Sequence, residues 1–334
     1  MTTTRITTRV FRGTPRNLAR LARVLQRGGL VGVPTETVYG LAADAGNARA
    51  CRAIFRAKGR PASDPLIVHI HDWGQLESIA EPNAAAAMLA AAFWPGPLTL
   101  VLPKKSVIPP EVTAGLPSVA IRMPGHPLFR KLLKRCGRPL AAPSANPFGY
   151  VSPTTAAHVL SGLRGKIGAI LDGGPAQIGL ESTIVDVRDP ARPRLLRPGA
   201  ISRKQLERVL RCPVLTAAPG GGDRQRAQLA PGMLKRHYSP RTPVILHERI
   251  ARTDFAHGAP DEAWLLMRQP RQVALPHVSW LDPQGELRGV ARRLFGRLRE
   301  LDAAGYRCIH VELARGGGLA EAINDRLRRA AARA

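Results

Sequence analysis

LVGVPTETVYGL, residues 30–41, begins as an apolar run and breaks at Pro34 into a stretch rich in hydroxyls. Residues 30–33 read as a short buried strand, and Pro34 ends it because proline cannot donate to a strand ladder. PTETVYGL therefore leaves a strand end and enters a loop, where rigid scaffolds commonly hold chemistry. Just upstream, Leu18, Leu21 and Leu25 recur at helical spacing from Pro15 and stop at Gly28-Gly29, an amphipathic helix with a glycine stop. Downstream, Asn47 caps a second helix through Ala57, KGRP stops it, and DPLIVHIH supplies the next strand. The alternation repeats, with strands expected at 98–102, 118–123, 139–142, 167–171, 182–187 and 194–197 and a last helix at 202–211. This is the pattern of an α/β sheet domain.

The composition is compatible with two such units. A chain of 334 residues that is 44% hydrophobic has enough apolar material for two packed cores, and with aromatics at 4% aliphatic residues and alanine must supply the packing. Residues 217–223, AAPGGGD, have linker composition, so a boundary is expected near residue 212. From Thr242 the pattern restarts: VILH, AWLLM and CIHVEL are strand candidates, and Leu287, Val290, Leu294, Leu298 and Leu301 form one helical stripe. Arg288, Arg292, Arg293, Arg297 and Arg299 decorate that helix and are expected to form a solvated face. The domains are thus set at 1–212, a linker at 213–240, and a smaller α/β unit at 241–334.

A formal charge of +26 attracts polyanions such as RNA or ATP without choosing among them, and arginine spread over both halves also fits a coding bias. The start MTTTRITTRVFRG lacks the apolar run of a secretory signal, and no stretch is long and apolar enough to span a bilayer, so a cytoplasmic protein with no membrane partner is expected. Cys51, Cys136, Cys212 and Cys308 lie far apart and form no metal-ligand spacing, which reads as reduced thiols. His69 and His71 share a strand face but lack a third ligand, so no metal held by protein side chains is expected.

Neither GxxxxGK[ST] nor GxGxxG occurs, and no GxSxG elbow supports nucleophilic hydrolysis. What stands out is a set of polar clusters at apolar strand ends: PTETVYGL, KGRP, SVAIRMP, APSAN, ESTIVD and LLRPG. Hydroxyls, an amide and cations gathered at strand ends suit a phosphate-bearing ligand. Singly, Ser144 and Asn146 are ordinary turn residues, and Lys58 and Arg60 are ordinary helix C-terminal cations.

In this order and spacing, together with WPGPLTLVL and the segment APGMLKRHYSP at 230–240, the clusters resemble the threonylcarbamoyl-adenylate synthase family in its long, two-domain form. The resemblance implies a YrdC-like open, twisted mixed sheet with a basic cavity, followed by a smaller Rossmann-like domain. It implies a nucleotidyltransferase that joins L-threonine, bicarbonate and ATP, the latter arriving with Mg2+, into threonylcarbamoyl-AMP and pyrophosphate. A separate tRNA threonylcarbamoyl transferase complex then uses the product to modify adenosine in tRNA. Carried over residue by residue, the family pattern assigns Lys58 and Arg60 as the catalytic cations and Lys58, Arg60, Asp64, Ser118, Ser144, Asn146, Ser152, Arg197 and Tyr238 to ATP. It assigns Thr37, His69, Arg122, Ala142 and Ser182 to threonine, with Arg122 facing its carboxylate and Ala142 leaving room. Tyr238 implies a linker that folds over the cavity mouth. Two departures stand out: Asp64 replaces a frequent asparagine, which sets a carboxylate beside a triphosphate unless a magnesium ion intervenes, and Ser239 replaces alanine. The rival reading is a double-stranded RNA-binding module of the same fold, with weak binding of tRNA as its milder form. A carbamoyl-transfer relative is excluded by the absence of its zinc-type cysteine repeats and acylphosphatase region.

Overall fold

The computed structural model describes residues 6–216, 228–230, 237–271 and 275–332. Most of the linker expected at 213–240, including its glycine triplet, lies outside them. An 11-stranded mixed sheet organises the first part of the chain. From edge to edge its strands are Arg9–Arg12, Ala169–Asp172, Val31–Val33, Gly40–Asp44, Leu140–Ala141, Ile67–His69, Ser118–Arg122, Leu98–Pro103, Thr183–Asp186, Arg194–Arg197 and Leu215–Thr216.

Residue alternation dictates how the two faces are covered. Leu41 and Ala43 point into a large cluster with Ile54, Leu66, Val68 and Leu76, whereas Ala42 between them joins Val31 and Val33 on the other face. There the helices Pro15–Gln26 and Pro127–Cys136 bury Leu18, Leu21, Leu25, Phe129, Leu132 and Leu133. Local chemistry sets the helix ends. Thr14 accepts a hydrogen bond from the Asn17 amide, Asn47 accepts from Ala50, and Ser202 and Gln205 form a capping box. Gly59 ends the helix Ala48–Lys58 with φ 67°, a conformation that places KGRP in a turn against the sheet.

The loop after Pro34 is shorter than expected. Val31–Val33 and Gly40–Asp44 pair antiparallel, with Val33 opposite Gly40, so residues 34–39 form the tip of a hairpin. GLAAD is too small and uniform to announce itself as a strand. Arg9–Arg12 and Val278–Asp282 are further strands that sequence periodicity did not separate from their surroundings.

The second part of the chain is a four-stranded, all-parallel sheet in the order Val244–His247, Cys308–Glu312, Glu262–Arg268, Val278–Asp282, with helices Leu287–Ala303 and Leu319–Ala331. Its core is not self-contained. Leu294, Phe295, Leu298, Ile323 and Leu327 pack in one cluster with Val38, Val151 and Leu180 of the first unit and with Tyr238. The arginine face expected to be solvated is corrected at one position. Arg299 is buried, donates to the carbonyls of Val151 (2.5 Å) and Ser152 (3.4 Å), and lies over the Tyr150 ring. A helix wheel assigns it to the polar side, but that side is where the helix docks onto the first domain.

Candidate active site

The hairpin tip and the ends of the central strands converge on a cavity of about 40 Å³. PTETVY enters it because Thr35 Oγ1 receives the amides of Thr37 (3.1 Å) and Val38 (3.2 Å), a hydroxyl-capped turn that holds the tip compact. Loop 176–180 straps it down, with the amides of Ile178 and Gly179 donating to the carbonyls of Glu36 and Thr37 at 2.8 and 3.0 Å.

Strand pairing fixes the next wall. Ile67–His69 and Ser118–Arg122 run parallel with His69 opposite Arg122, so an imidazole and a guanidinium leave the sheet side by side. Arg122 donates from Nη1 to Thr37 Oγ1 (2.8 Å) and from Nε to the Gly96 carbonyl (3.1 Å), and its Nη2 is 2.7 Å from Glu36 Oε1. Burial alone would raise the Glu36 pKa, but the Arg122 charge and the Gly125 amide outweigh it and hold the carboxylate ionised. Burial, reinforced by the Arg122 charge, pushes His69 down to about 3, so this imidazole is neutral at working pH. Ala142 completes the wall, and a Cβ on neighbouring Gly40 would come within 3.3 Å of its methyl group. Bulk is therefore kept out on both sides.

ESTIVD and LLRPG supply the third wall. Arg197 donates to the Ser182 carbonyl (3.1 Å) and Oγ (3.0 Å), and Thr99 Oγ1 lies 2.7 Å from the same hydroxyl. Glu181 precedes them on the wall, its Oε1 accepting from Ser152 Oγ (2.5 Å) and its Oε2 from Arg326 Nε (2.8 Å) of the C-terminal helix. His237 and Tyr238 close the remaining side. Tyr238 has φ 64°, a strained backbone for a non-glycine residue. Its ring stacks on Phe295 (5.5 Å between centroids) and lies under Arg326. Burial, then Glu181, raises its phenol pKa, so it remains protonated.

The residues expected to meet threonine, Thr37, His69, Arg122, Ala142 and Ser182, all line the cavity. Of those expected to meet ATP, Arg60, Ser144, Arg197 and Tyr238 line it. Lys58, Asp64, Ser118, Asn146 and Ser152 are buried outside its wall. Lys58 donates from Nζ to the carbonyls of Ser144 and Asn146, both at 2.5 Å. Burial, then the charge of Arg60, lowers its pKa well below that of an ordinary lysine. Asp64 is paired with Arg60 at 2.9 Å. Among the described residues, Ser118 Oγ, Asn146 Oδ1 and Tyr238 Oη are buried without a hydrogen-bond partner, groups that native interiors normally satisfy or keep for a ligand.

Comparisons with known proteins identify the family. Residues 23–199 match the Sua5/YciO/YrdC family model, described as "Telomere recombination", and residues 201–332 match "Threonylcarbamoyl-AMP synthase, C-terminal domain". The threonylcarbamoyl-AMP synthase of Pyrococcus abyssi is 42% identical over 92% of this chain and 92% of its own, and that of Bacillus subtilis 41% over 94% and 92%. The crystal structure of P. abyssi Sua5 complexed with L-threonine superposes with a TM-score of 0.87 at 39% identity, covering 98% of this chain and 97% of that one. The chain belongs to the threonylcarbamoyl-AMP synthase family. A variant of the P. abyssi protein with an adjacent histidine and tyrosine replaced by alanine superposes equally well, at 0.87 and 37% identity over 97% and 96% of the two chains.

Family motifs pointed to cavity residues but passed over those that balance their charge. Glu36, Glu181 and Arg326 went unassigned, although Glu36 and Glu181 sit inside the quoted motifs, and Arg299 was expected on a solvated face. The two arginines come from helices far along the chain, and no local pattern announces them. Among the described residues no helix is long and apolar enough to cross a membrane.

Proposed function

We infer that this chain is a threonylcarbamoyl-AMP synthase: L-threonine, bicarbonate and ATP give threonylcarbamoyl-AMP and pyrophosphate. The observation that carries the reading is the convergence of Thr37, His69, Arg122, Ala142 and Ser182 on one wall of a cavity whose other wall holds Arg60, Ser144 and Arg197. The first set suits a small amino acid with a carboxylate and a hydroxyl, and the second suits phosphates.

In this reading the threonine amine and bicarbonate combine with loss of water. A carbamate oxygen then attacks the α-phosphorus of ATP, and the bond to the pyrophosphate oxygen breaks. The nucleophile belongs to the substrate, so the protein orients it and stabilises charge. Arg122, already balanced by Glu36, shares its guanidinium with the threonine carboxylate. Neutral His69 offers hydrogen bonding without adding a cation there. Arg60 and Arg197 face the phosphates, while Lys58 acts through the Ser144 and Asn146 carbonyls it grips and so positions Ser144. A volume of about 40 Å³ holds a few waters and no nucleotide, so His237 and Tyr238 must withdraw for ATP to enter and return over it.

Magnesium belongs to the substrate in this scheme. Asp64 is engaged by Arg60 and Glu181 by Arg326 and Ser152, so these buried carboxylates do not fit a resident-metal cradle, and Mg2+ arrives on the triphosphate. The remaining elements of the reading are a catalytic domain at 1–212, a closing linker at 213–240 and a supporting domain at 241–334. They also include a cytoplasmic location and delivery of the product to a tRNA threonylcarbamoyl transferase complex, with at most weak contact to tRNA itself.

Pyrophosphate release from ATP and bicarbonate, with L-threonine, L-serine or no amino acid and mass detection of the adenylate, tests this. Threonine-dependent release of the expected product supports it; folded protein that binds double-stranded RNA and releases nothing overturns it. Arg60→Ala is expected to raise KM for ATP and Arg122→Ala that for threonine, and equal effects on both substrates would dissolve the division of the cavity.

A further inference from the structure

The second domain carries a side-chain cluster that the cavity chemistry does not use. Cys308 and His310 alternate on one strand and so share a face, and the neighbouring strand sets Glu262 opposite Cys308 and Trp264 opposite His310. His310 Nε2 lies 3.4 Å from Cys308 Sγ and 3.5 Å from Glu262 Oε2. Among the described residues these form the one group of three such ligand atoms lying mutually within 4.8 Å.

The separations have a chemical meaning. A sulfur, a nitrogen and a carboxylate oxygen bound tetrahedrally to zinc at about 2.3, 2.1 and 2.0 Å stand roughly 3.3–3.6 Å apart. Both measured edges to His310 fall in that range. The groups behind the candidate ligands are also arranged as a metal site requires. His310 Nδ1 lies 2.8 Å from His247 Nε2; donation of its Nδ1–H to His247 leaves the Nε2 lone pair facing Cys308 and Glu262. Trp264 stacks on the His310 ring at 4.0 Å with a 9° interplanar angle and sets its plane. Arg307 takes Glu262 Oε1 at 2.5 Å, which leaves Oε2 for an ion. The side chains of His310 and Glu262 keep 12% and 17% of their surface exposed, enough for an ion to enter.

We propose that Glu262 Oε2, Cys308 Sγ and His310 Nε2 form a three-ligand site for one zinc-type divalent transition-metal ion, with solvent at the fourth position. The thiolate and imidazole favour such a metal over magnesium or calcium, which seek oxygen ligands. Binding releases the Cys308 thiol proton to solvent and ties two strands of the second sheet together, so the ion stabilises that domain. The site is independent of the synthase reading, because none of its residues lines the cavity.

The test is titration of the metal-free full chain with Co2+ and Zn2+, without nucleotide. One equivalent of Co2+ is expected to produce the d–d bands of a four-coordinate site with a thiolate-to-metal charge-transfer band, and one equivalent of Zn2+ to abolish both and raise Tm. Cys308→Ser removes the charge-transfer band, and its affinity falls by more than the roughly 10–100-fold expected for losing an outer partner. His247→Phe lowers affinity within that 10–100-fold range, and Cys212→Ser leaves it unchanged. A folded wild-type chain that shows no charge-transfer band at one equivalent overturns the proposal without recourse to any variant. So does a band that survives in Cys308→Ser, or in Glu262→Gln and His310→Gln together.

Discussion

Replacing Arg326 with methionine should destabilise the protein more than replacing the carboxylate it faces. Arg326 is wholly buried in the C-terminal helix, with Nε 2.8 Å from Glu181 Oε2 and Nη1 2.6 Å from Asp325 Oδ2. Methionine keeps much of the volume but leaves Glu181 buried with Ser152 as its remaining side-chain partner. Removing one partner of a buried pair costs about 3–5 kcal/mol. Glu181→Gln leaves Arg326 with Asp325, so a loss of about 1.5–3 kcal/mol is expected, the range of a lost hydrogen bond to a charged group. The double variant removes both the cation and the stranded carboxylate and should recover about 2 kcal/mol relative to the sum of the singles. Urea unfolding followed by far-ultraviolet circular dichroism gives all three values. KM for threonine should rise in parallel, because Glu181 precedes Ser182 on the cavity wall. An Arg326→Met variant within about 0.5 kcal/mol of wild type, or strict additivity in the cycle, refutes the view that this ion pair joins the domains.

The pH dependence of stability should carry the signature of His69. Its folded pKa of about 3 lies below the ordinary 6.5, so the unfolded chain takes up the proton first. Its contribution is complete above pH 6.5 and is lost on acidification at about 1.4 kcal/mol per unit until the folded group titrates. His69→Gln should flatten the urea midpoint between pH 6 and 4.5 by up to that slope; an unchanged slope means the ring is already charged in the fold. Asp64→Asn removes a negative charge held 2.9 Å from Arg60 and should lower KM for ATP severalfold with KM for threonine unchanged, read by steady-state pyrophosphate release. A rise would mean that the carboxylate matters chiefly for aiming Arg60. Ending the chain after Pro240 exposes Val38, Val151 and Leu180, which share a core with Phe295 and Leu298. The truncated protein should show a loss of several degrees in Tm and increased binding of a hydrophobic dye, and a Tm equal to that of the full chain would show that the first domain closes its own core.

Much of the fold was legible because its signals are local. Asn47 and Gly59 bracket a helix by capping chemistry, and Leu18, Leu21 and Leu25 mark a buried face by spacing alone. Gly40–Asp44 escaped because alanine and glycine carry little strand propensity, and only pairing with Val31–Val33 makes them a strand. For the site, motif resemblance named nine residues that line the cavity and five that lie outside its wall, but it could not say that Lys58 is held by two carbonyls or that Asp64 pairs with Arg60, since both depend on rotamers and burial. Arg299 was read as solvated because helical periodicity reports which side of a helix is polar and not what that side touches. The Glu262, Cys308 and His310 group escaped for a related reason: sheet register sets a distant glutamate beside the cysteine, where spacing along the chain shows only a Cys-x-His pair.

The Arg326–Glu181 pair also sets a clock on biosynthesis. The two residues are 145 positions apart, and at 5–20 residues per second a ribosome needs about 7–29 s to travel between them. Once Thr216 has been added every strand of the large sheet has been made, yet until Arg326 follows, Glu181 and then the ring of Tyr238 lack the guanidinium that covers them. A nascent chain can thus assemble its large sheet early while the enclosed, low-dielectric chamber waits for the C-terminal helix. Any mutation that slows docking of that helix would then reduce the yield of competent protein at birth, even where the finished fold tolerates it.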